Sequence, residues 1–474
     1  MYRQRGPQQF RMEWVAPAVP DSGRRRLLQA INERVDFGPV YAQAQAYFCP
    51  DNGRPSLDPV LMVKVMLVGY LFGVGSDRAL VEFCADSLSV REFLGLGLDE
   101  SLPVHSSFTH WRQRLGAEFF REFLHEIARQ CVAAGLVIGG ARTVDATFVK
   151  AQASKHGPRV EVPKEVPVEE FLDAYFAGEA VSADRRAEPT TAVNLHDPEA
   201  RLQQKRGVPA EFGYQASFSA DAETGVICDA TATDRERAGT AVEHVDQDPF
   251  PVEEVAADSL YDASEAMEGL VTRGVQAYVP QRSPRRPGGL SKEQFTYDPQ
   301  QDVYRCPRGK VLRYQKRRKH SDHYVARVRD CRDCPLKPQC TPSRCRTVTR
   351  PVHEASREQT IRAGPRYEHL QRRRHVNEYL HSLAKRQHGL RRARAVGLAA
   401  AMIQACLTAA VLNLKKLVHA ALSSWPSLAL AWSELCRSAQ VWLGGPPAPL
   451  AFTWSAPVPP HSTARQAATA TGTF

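Results

Sequence analysis

At 474 residues, with 43% hydrophobic and 24% charged content, the chain has the make-up of a soluble globular protein with room for two or three domains. Its net charge of +10 favours a polyanionic partner, nucleic acid first. Eleven cysteines is an odd number, and six stand singly in apolar or helical segments, which suits a reducing cytoplasm and excludes a disulfide framework.

The N-terminal stretch MYRQRGPQQFRMEWV carries positive charge but no apolar core, so it does not read as a signal peptide. Residues 1–54 read as an arm. From residue 55 to 136 the pattern is helical: Asp58-Pro59 supplies an N-cap and a first-turn proline to the apolar run VLMVKVMLVGYLFG, and SDRALVEFCADSLSVREFLGL and HSSFTHWRQRLGAEFFREFLHEIARQCVAAGL continue it. The expectation is a DNA-binding bundle of about four helices, with Arg112, Arg114 and Arg121 either on DNA backbone or on a solvated face.

After residue 137 the grammar changes to short strands. RTVDATF, GYQASFSA and VICDATAT read as strands, the last two joined at DAETG by a hairpin turn. GTAVEHV then reads as a helix, EEVAAD as a strand, SEAMEGLVTRG as a helix and VQAYVP as a strand. The order implies a mixed sheet covered by helices over residues 137–284, with a surface insertion at 155–212. Asp145 lies inside the first of these strands and Asp258 just past a later one. Adjacent strands would place both carboxylates at one sheet edge, where their repulsion calls for a divalent cation. Either residue alone is also compatible with a turn or cap.

A third acid lies in RRRHVNEYLHSLAKRQHGLRRAR. At 100° per residue Arg374, Glu378 and Lys385 share one face of a helix, opposite Val376, Tyr379, Leu380 and Leu383. Between Arg366 and Arg394 nine Lys or Arg residues stand against two carboxylates, so Glu378 sits in a basic field that includes Arg391, Arg392 and Arg394. The apolar run Leu398–Leu414 that follows contains Gln404 and Asn413 and is shorter than the ~20 residues a membrane span needs, so it reads as a buried helix and no membrane is implied.

VDATFVKAQAS, AADSLYDA and the Arg374, Glu378, Lys385 pattern, followed by HGLRRARAVGL and NLKKL, resemble a bacterial insertion-sequence transposase of the DDE type. The resemblance extends from about residue 40 to 420 and takes in the N-terminal helices. It implies an α/β (α+β) ribonuclease H-like mixed sheet with Asp145, Asp258 and Glu378 as catalytic triad. It also implies double-stranded DNA as partner, both transposon terminal inverted repeats and target DNA, a homodimer on DNA, and action at the nucleoid in the cytoplasm. The chain departs from the usual pattern at Gln371, where a tyrosine is common, and at Ala146, where a glycine is common. Hard carboxylate oxygens suit two magnesium or manganese ions, which serve the attacking and leaving oxygens of an in-line phosphodiester displacement. Arg374 and Lys385, with Arg391, Arg392 and Arg394, would hold DNA phosphates.

Residues 285–364 read as a basic, cysteine-rich insertion before the second part of the core at 365–422. Cys306, Cys331, Cys334 and Cys340, with Cys345 a substitute, have the spacing of a tetrahedral zinc site or of reduced cysteines that pack, and basic flanks suggest contact with DNA. A zinc-dependent regulator that binds DNA without cutting it, or a decayed transposase, is the competing expectation. A further C-terminal helix is expected at 423–445 and disorder at 446–474, where Pro, Ala, Ser and Thr dominate without period.

Overall fold

The computed structural model describes residues 22–49, 56–137, 139–186, 188–204, 207, 209–234, 239–281, 290–318, 321–351 and 354–423. The helix expected at 423–445 and the tail at 446–474 fall almost wholly outside these residues, and the unit described below ends at Ala420.

Helices form the first part of the chain: α1 (Gly23–Arg34), α2 (Gly38–Gln45), α3 (Pro59–Leu71), α4 (Asp77–Asp86), α5 (Leu88–Leu94) and α6 (His105–Ala133). Residues 1–54, read as an arm, therefore contain two helices. Leu28 and Ile31 of α1 and Val40 and Ala44 of α2 are buried in the same core as α3. The start signal of α3 works as read: Asp58 accepts the Leu61 amide at 3.0 Å, with Pro59 in the first turn. The other oxygen of Asp58 accepts the Tyr41 hydroxyl at 2.9 Å, so one cap also ties down the segment after α2's start. In α6 the regular winding breaks at Gly116, whose φ of 69° is a conformation glycine reaches without a Cβ penalty.

Strands follow: β1 (Ala141–Lys150), β2 (Arg159–Pro163), α7 (Val168–Phe176), β3 (Thr190–Asn194), β4 (Arg201–Gln203), β5 (Glu211–Asp221), β6 (Ile227–Thr233), α8 (Thr240–Gln247), β7 (Glu254–Ala256), α9 (Ser264–Thr272) and β8 (Gln276–Tyr278). The main sheet runs β4-β5-β1-β7-β8, with β6 also on β5. β6, β5 and β1 are antiparallel, whereas β1, β7 and β8 are parallel. This is the mixed sheet the sequence implies. Its hairpin turn is held as Asx geometry predicts: the Asp221 carboxylate accepts the Glu223 and Thr224 amides at 3.1 and 2.8 Å, and Gly225 takes φ 69°. One sheet face packs Val144, Val255 and Ala277 against Met267 and Leu270 of α9. Within the 155–212 insertion, β2 and β3 pair and bury Val160, Val162 and Val193 against Phe171 and Leu172 of α7, a small core of their own.

The cysteine-rich segment is an antiparallel sheet in the order β13-β12-β11-β10-β9, made from β9 (Thr296–Asp298), β10 (Val303–Arg305), β11 (Val311–Arg318), β12 (Ser321–Ala326) and β13 (Thr347–Pro351), with α10 (Val328–Arg332) and α11 (Lys337–Cys340) before the last strand. The chain then passes through α12 (Glu354–Glu358) and rejoins the main sheet, where the Ile361 amide donates to Ala277 O at 2.9 Å. It ends in α13 (Pro365–Arg373), α14 (His375–Gln387) and α15 (Leu398–Ser423).

α15 is long and apolar enough to cross a membrane, but 72% of its apolar window is buried inside the protein. Two of its polar residues, Asn413 and Gln404, have specific partners. The Asn413 amide accepts the Ile227 N–H at 2.9 Å and donates to Ile227 O at 2.7 Å, covering the edge of β6. Gln404 accepts the Arg394 amide and donates to Gly389 O and Arg392 O, shaping the turn between α14 and α15. Replacing Asn413 by Leu leaves two buried backbone groups unpaired and should lower the unfolding free energy by about 3 kcal/mol, read from urea denaturation; a loss under about 0.5 kcal/mol contradicts the edge-covering role.

Candidate functional site

Three side chains decide what the main sheet can do, and pairing places two of them. β1 and β7 run parallel with Thr143 opposite Ala256. Two residues further along each chain stand Asp145 and Asp258, on the same face by the two-residue period of extended backbone and at the same level. Asp258 keeps extended angles, φ −79° and ψ 173°. Neighbouring strands lie about 4.8 Å apart, so the carboxylates flank one another at the end of β7. Both are half-buried. One oxygen of Asp145 accepts the Ala146 amide at 2.8 Å, and one of Asp258 accepts the Leu260 amide at 2.8 Å, capping a short 3-10 turn. Beneath them Tyr261 is fully buried. Burial pushes its phenol up to about 12, and the negative fields of Asp145 and Asp258 add to the shift, which places both acids around one ring.

Glu378 comes from α14, which lies across β1. Asn377 donates to Thr143 O at 2.7 Å, and His381 Nε2 stands 3.3 Å from Asp145 O while its ring stacks on Phe218 at 4.8 Å. Helical winding sets Arg374, Glu378 and Lys385 beside the Asn377–His381 row. The buried face is Asn377, Leu380, His381 and Ala384. Of the expected stripe, Leu380 is buried and Val376 and Leu383 pack against the core, but Tyr379 is 60% exposed, because the helix turns two polar residues, not that tyrosine, onto the strand's backbone. The Glu378 side chain is 63% exposed and meets His375 Nδ1 at 3.1 Å. Arg374 is half-buried and donates to Gln371 Oε1 at 2.9 Å, while Gln371 donates to Tyr278 O at the end of β8. Among the described residues no three His, Cys, Asp or Glu side chains converge closely enough to hold a metal ion.

The basic run after α14 divides. Arg391 and Arg392 are exposed beside the end of β1, where Lys150 N donates to Arg391 O at 3.1 Å. Arg394 points inward, donating to Gly69 O at 3.1 Å with its guanidinium 3.8 Å from the Tyr70 ring centre. Expected among the phosphate contacts, it instead locks this segment to α3. Of the arginines flagged on α6, Arg112 pairs with Asp77 and Arg121 is buried.

Arg121 belongs to a network that sequence reading missed. Asp229 of β6, fully buried, receives Arg121 Nε at 3.1 Å, His125 Nε2 at 2.9 Å and His244 Nδ1 at 2.6 Å. Arg121 also donates to Glu243 at 2.6 Å. Ser217 Oγ, 2.9 Å from His244 Nε2, donates to Asp145 O at 3.2 Å, so the chain of bonds runs from α6 to the backbone of Asp145. Burial alone would raise the Asp229 carboxyl, but hydrogen bonds from His125 and His244 and the Arg121 charge hold it well below the usual carboxylate range. The only signals in sequence were the four-residue spacing of Arg121 and His125 and the Glu243-His244 pair.

Cys306 stands in a tight turn closed by the Gly309 amide onto Cys306 O, with Gly309 at φ 73°. Cys331, Cys334 and Cys340 come from α10, α11 and the turn between them. Burial pushes the Cys340 thiol up, against the Arg346 charge, and Cys331, Cys334 and Cys306 add to the rise. Cys306, Cys331, Cys340 and Cys345 pack against one apolar core, but among the described residues the expected sulfurs do not converge closely enough to hold a metal ion.

With that geometry in place, residues 19–114 match the family model described as a transposase domain (DUF772), and residues 305–418 match that of a transposase DDE domain. No curated protein matches the chain. A solved piggyBac transposase synaptic complex with hairpin DNA aligns over 83% of this chain and 78% of its own, at 9% identity and a TM-score of 0.28, too low to argue from.

Asp229→Asn removes the charge that balances Arg121 and should lower the unfolding free energy by about 3 kcal/mol at neutral pH. Because Asp229 titrates below its ordinary value of 3.8, its contribution is complete above that pH and is lost as pH falls through the folded value. Denaturant midpoints for wild type and variant should therefore begin to approach one another below about pH 4 and go on converging as pH falls further; a gap that stays constant from about pH 4 down to about pH 2 contradicts the assignment.

Proposed function

The chain belongs to the DDE-type insertion-sequence transposases, and we propose that it cleaves DNA at transposon ends and joins them to target DNA through Asp145, Asp258 and Glu378. The observation that carries this reading is the placement of Asp145, midway along β1, level with Asp258 at the carboxyl end of the adjacent parallel β7, the kind of strand end where open sheets gather their sites. Three antiparallel strands followed by two parallel ones, with helices on the sheet, support a ribonuclease H-like core.

Both acids offer hard oxygen donors, the chemistry magnesium or manganese selects. Bound there, two such ions would activate the attacking oxygen and stabilise the leaving one. The protein's own part is positional. The β1–β7 register keeps the two carboxylates level, the Leu260 amide orients Asp258, and Asn377 and His381 hold α14 over β1 so that Glu378 lies on the adjoining rim. Arg374 and Lys385 share that rim, and Arg391 and Arg392 extend it, a basic surface for DNA phosphates. Cys306, Cys331, Cys334 and Cys340 would hold zinc in this reading on the strength of their spacing in the sequence, which matches its thiolate preference. The protein acts as a homodimer on double-stranded DNA at the nucleoid. The outward Glu378, paired with His375, favours one rival, a transposase that binds ends and no longer cuts them.

Asp145→Asn, Asp258→Asn and Glu378→Gln should each slow single-turnover nicking of an end duplex in magnesium at least about a thousandfold, with DNA affinity within about threefold of wild type. Wild-type protein that binds ends and nicks none in magnesium or manganese supports the decayed form. Lys385→Ala should depress nicking more than affinity, because it acts where charge develops on the phosphate. Metal analysis of protein purified without chelator should find about one zinc per chain, lost in the Cys331→Ser/Cys334→Ser double variant. Zinc-free folded protein rules that site out.

A further inference from the structure

The net charge is not spread over the chain. Of its 62 basic and 52 acidic residues, 15 and 3 lie between Arg305 and Pro351, so this segment carries +12 and the remainder −2. The largest excess of positive charge along the chain therefore lies in this segment, ahead of the nine basic and two acidic residues between Arg366 and Arg394.

The strand pairing shows how the charge is presented. β11 and β12 pair Arg313 with Val325, Lys316 with His323 and Arg318 with Ser321, and the register shifts between Tyr314 and Lys316. In a regular strand Arg313 would face away from Lys316 and Arg318. The extra residue, a β-bulge, changes the phase, so that all three cations stand opposite Val325, His323 and Ser321, alternate residues of one strand and therefore one face. That face is turned from the core. Leu312, Tyr324 and Val348, on the other side, are buried, whereas Arg313, Lys316 and Arg318 are exposed, as are Thr347 and Thr349 on the β13 side. Arg317 falls on the inner side and pairs with Asp322 at 2.7 Å. Among the described residues no carboxylate pairs with Arg313, Lys316 or Arg318.

We propose that this outer face, Arg313, Lys316 and Arg318 with His323, Thr347 and Thr349, is a docking surface for the phosphate backbone of double-stranded DNA, separate from the carboxylate edge. Partners two residues apart on β12 space the cations by about 6.7 Å, a regular row of positive charge for a backbone that carries one phosphate per about 3.4 Å of axis on each strand. Threonine hydroxyls and a histidine beside the row are further donors of the kind that contact phosphate and fix register without reading sequence. The proposal deepens the transposase reading by assigning where the end duplex is gripped, and it rests on that reading only for the identity of the duplex.

The test compares full-length wild type with Arg313→Ala/Lys316→Ala/Arg318→Ala and with an inner-face control, Arg317→Ala/Asp322→Ala, on a duplex bearing the sequence that flanks the coding region. Loss of three contacts should weaken binding at least about tenfold at physiological salt and reduce the slope of log affinity against log salt by about 2.7 units. The inner-face variant should keep the wild-type slope, and both should melt as wild type does. An unchanged slope in the triple variant, with or without new aggregation, overturns the proposal. The two readings fail separately. A triple variant that binds like wild type while Asp145→Asn abolishes nicking removes only the docking surface. A wild type that binds through this face and never nicks removes only the cleavage.

Discussion

The pairing of β1 with β7 is the constraint from which the candidate chemistry follows. Thr143 opposite Ala256 brings Asp145 level with Asp258; a slip of one residue would send one of the two carboxylates to the opposite sheet face. The register is defended at the start of β1, where Arg142, almost fully buried, donates to Asp248 at 2.7 Å and to Gly139 O at 2.7 Å. A buried ion pair of this kind adds little net stability over a hydrophobic pair, but a misregistered strand would strand the guanidinium, which is costly. Specificity of register is its plausible physical return.

The same logic joins the N-terminal helices to the sheet. Apolar contact between α6 and β6 would tolerate sliding, whereas Asp229 receives three donors from two helices, and each has a direction. Arg394 and His388 do similar work on α3, the first on Gly69 O and the Tyr70 ring, the second donating to Tyr70 O at 2.8 Å. Burial pulls His388 down to about 4, so it stays neutral beside Lys415 near neutral pH. Cationic side chains that a linear reading assigns to DNA are in several cases fasteners between the helical part and the core.

Charge is divided between interior and surface by position along the chain. The helical part and the main sheet pair many of their cations internally, as Arg121, Arg142 and Arg366 do with Asp229, Asp248 and Glu254. The sheet between Arg305 and Pro351 leaves a row unpaired and uses a bulge to align it. The aligned cations and the level carboxylates thus belong to different sheets.

Local physics determined much from sequence alone. The Asp58-Pro59 start of α3, the Asp221–Gly225 turn and the succession of strands and helices that builds the main sheet were legible because caps, turns and two-residue alternation act over a few neighbouring residues. The acidic positions 145, 258 and 378 stood out because each breaks a pattern: a carboxylate in a strand, one at a strand end, one in a basic helix. Only the tertiary structure decided what each charge faces. Arg394 and Arg391 lie three residues apart in one basic run, yet one stacks on Tyr70 and the other is exposed. Asp229 gave no signal, since its partners Arg121, His125 and His244 are distant in sequence except for the last. The bulge between Tyr314 and Lys316 was equally silent, because it exists only relative to β12. A charge's partner is a property of pairing across the fold, and no window along the chain contains it.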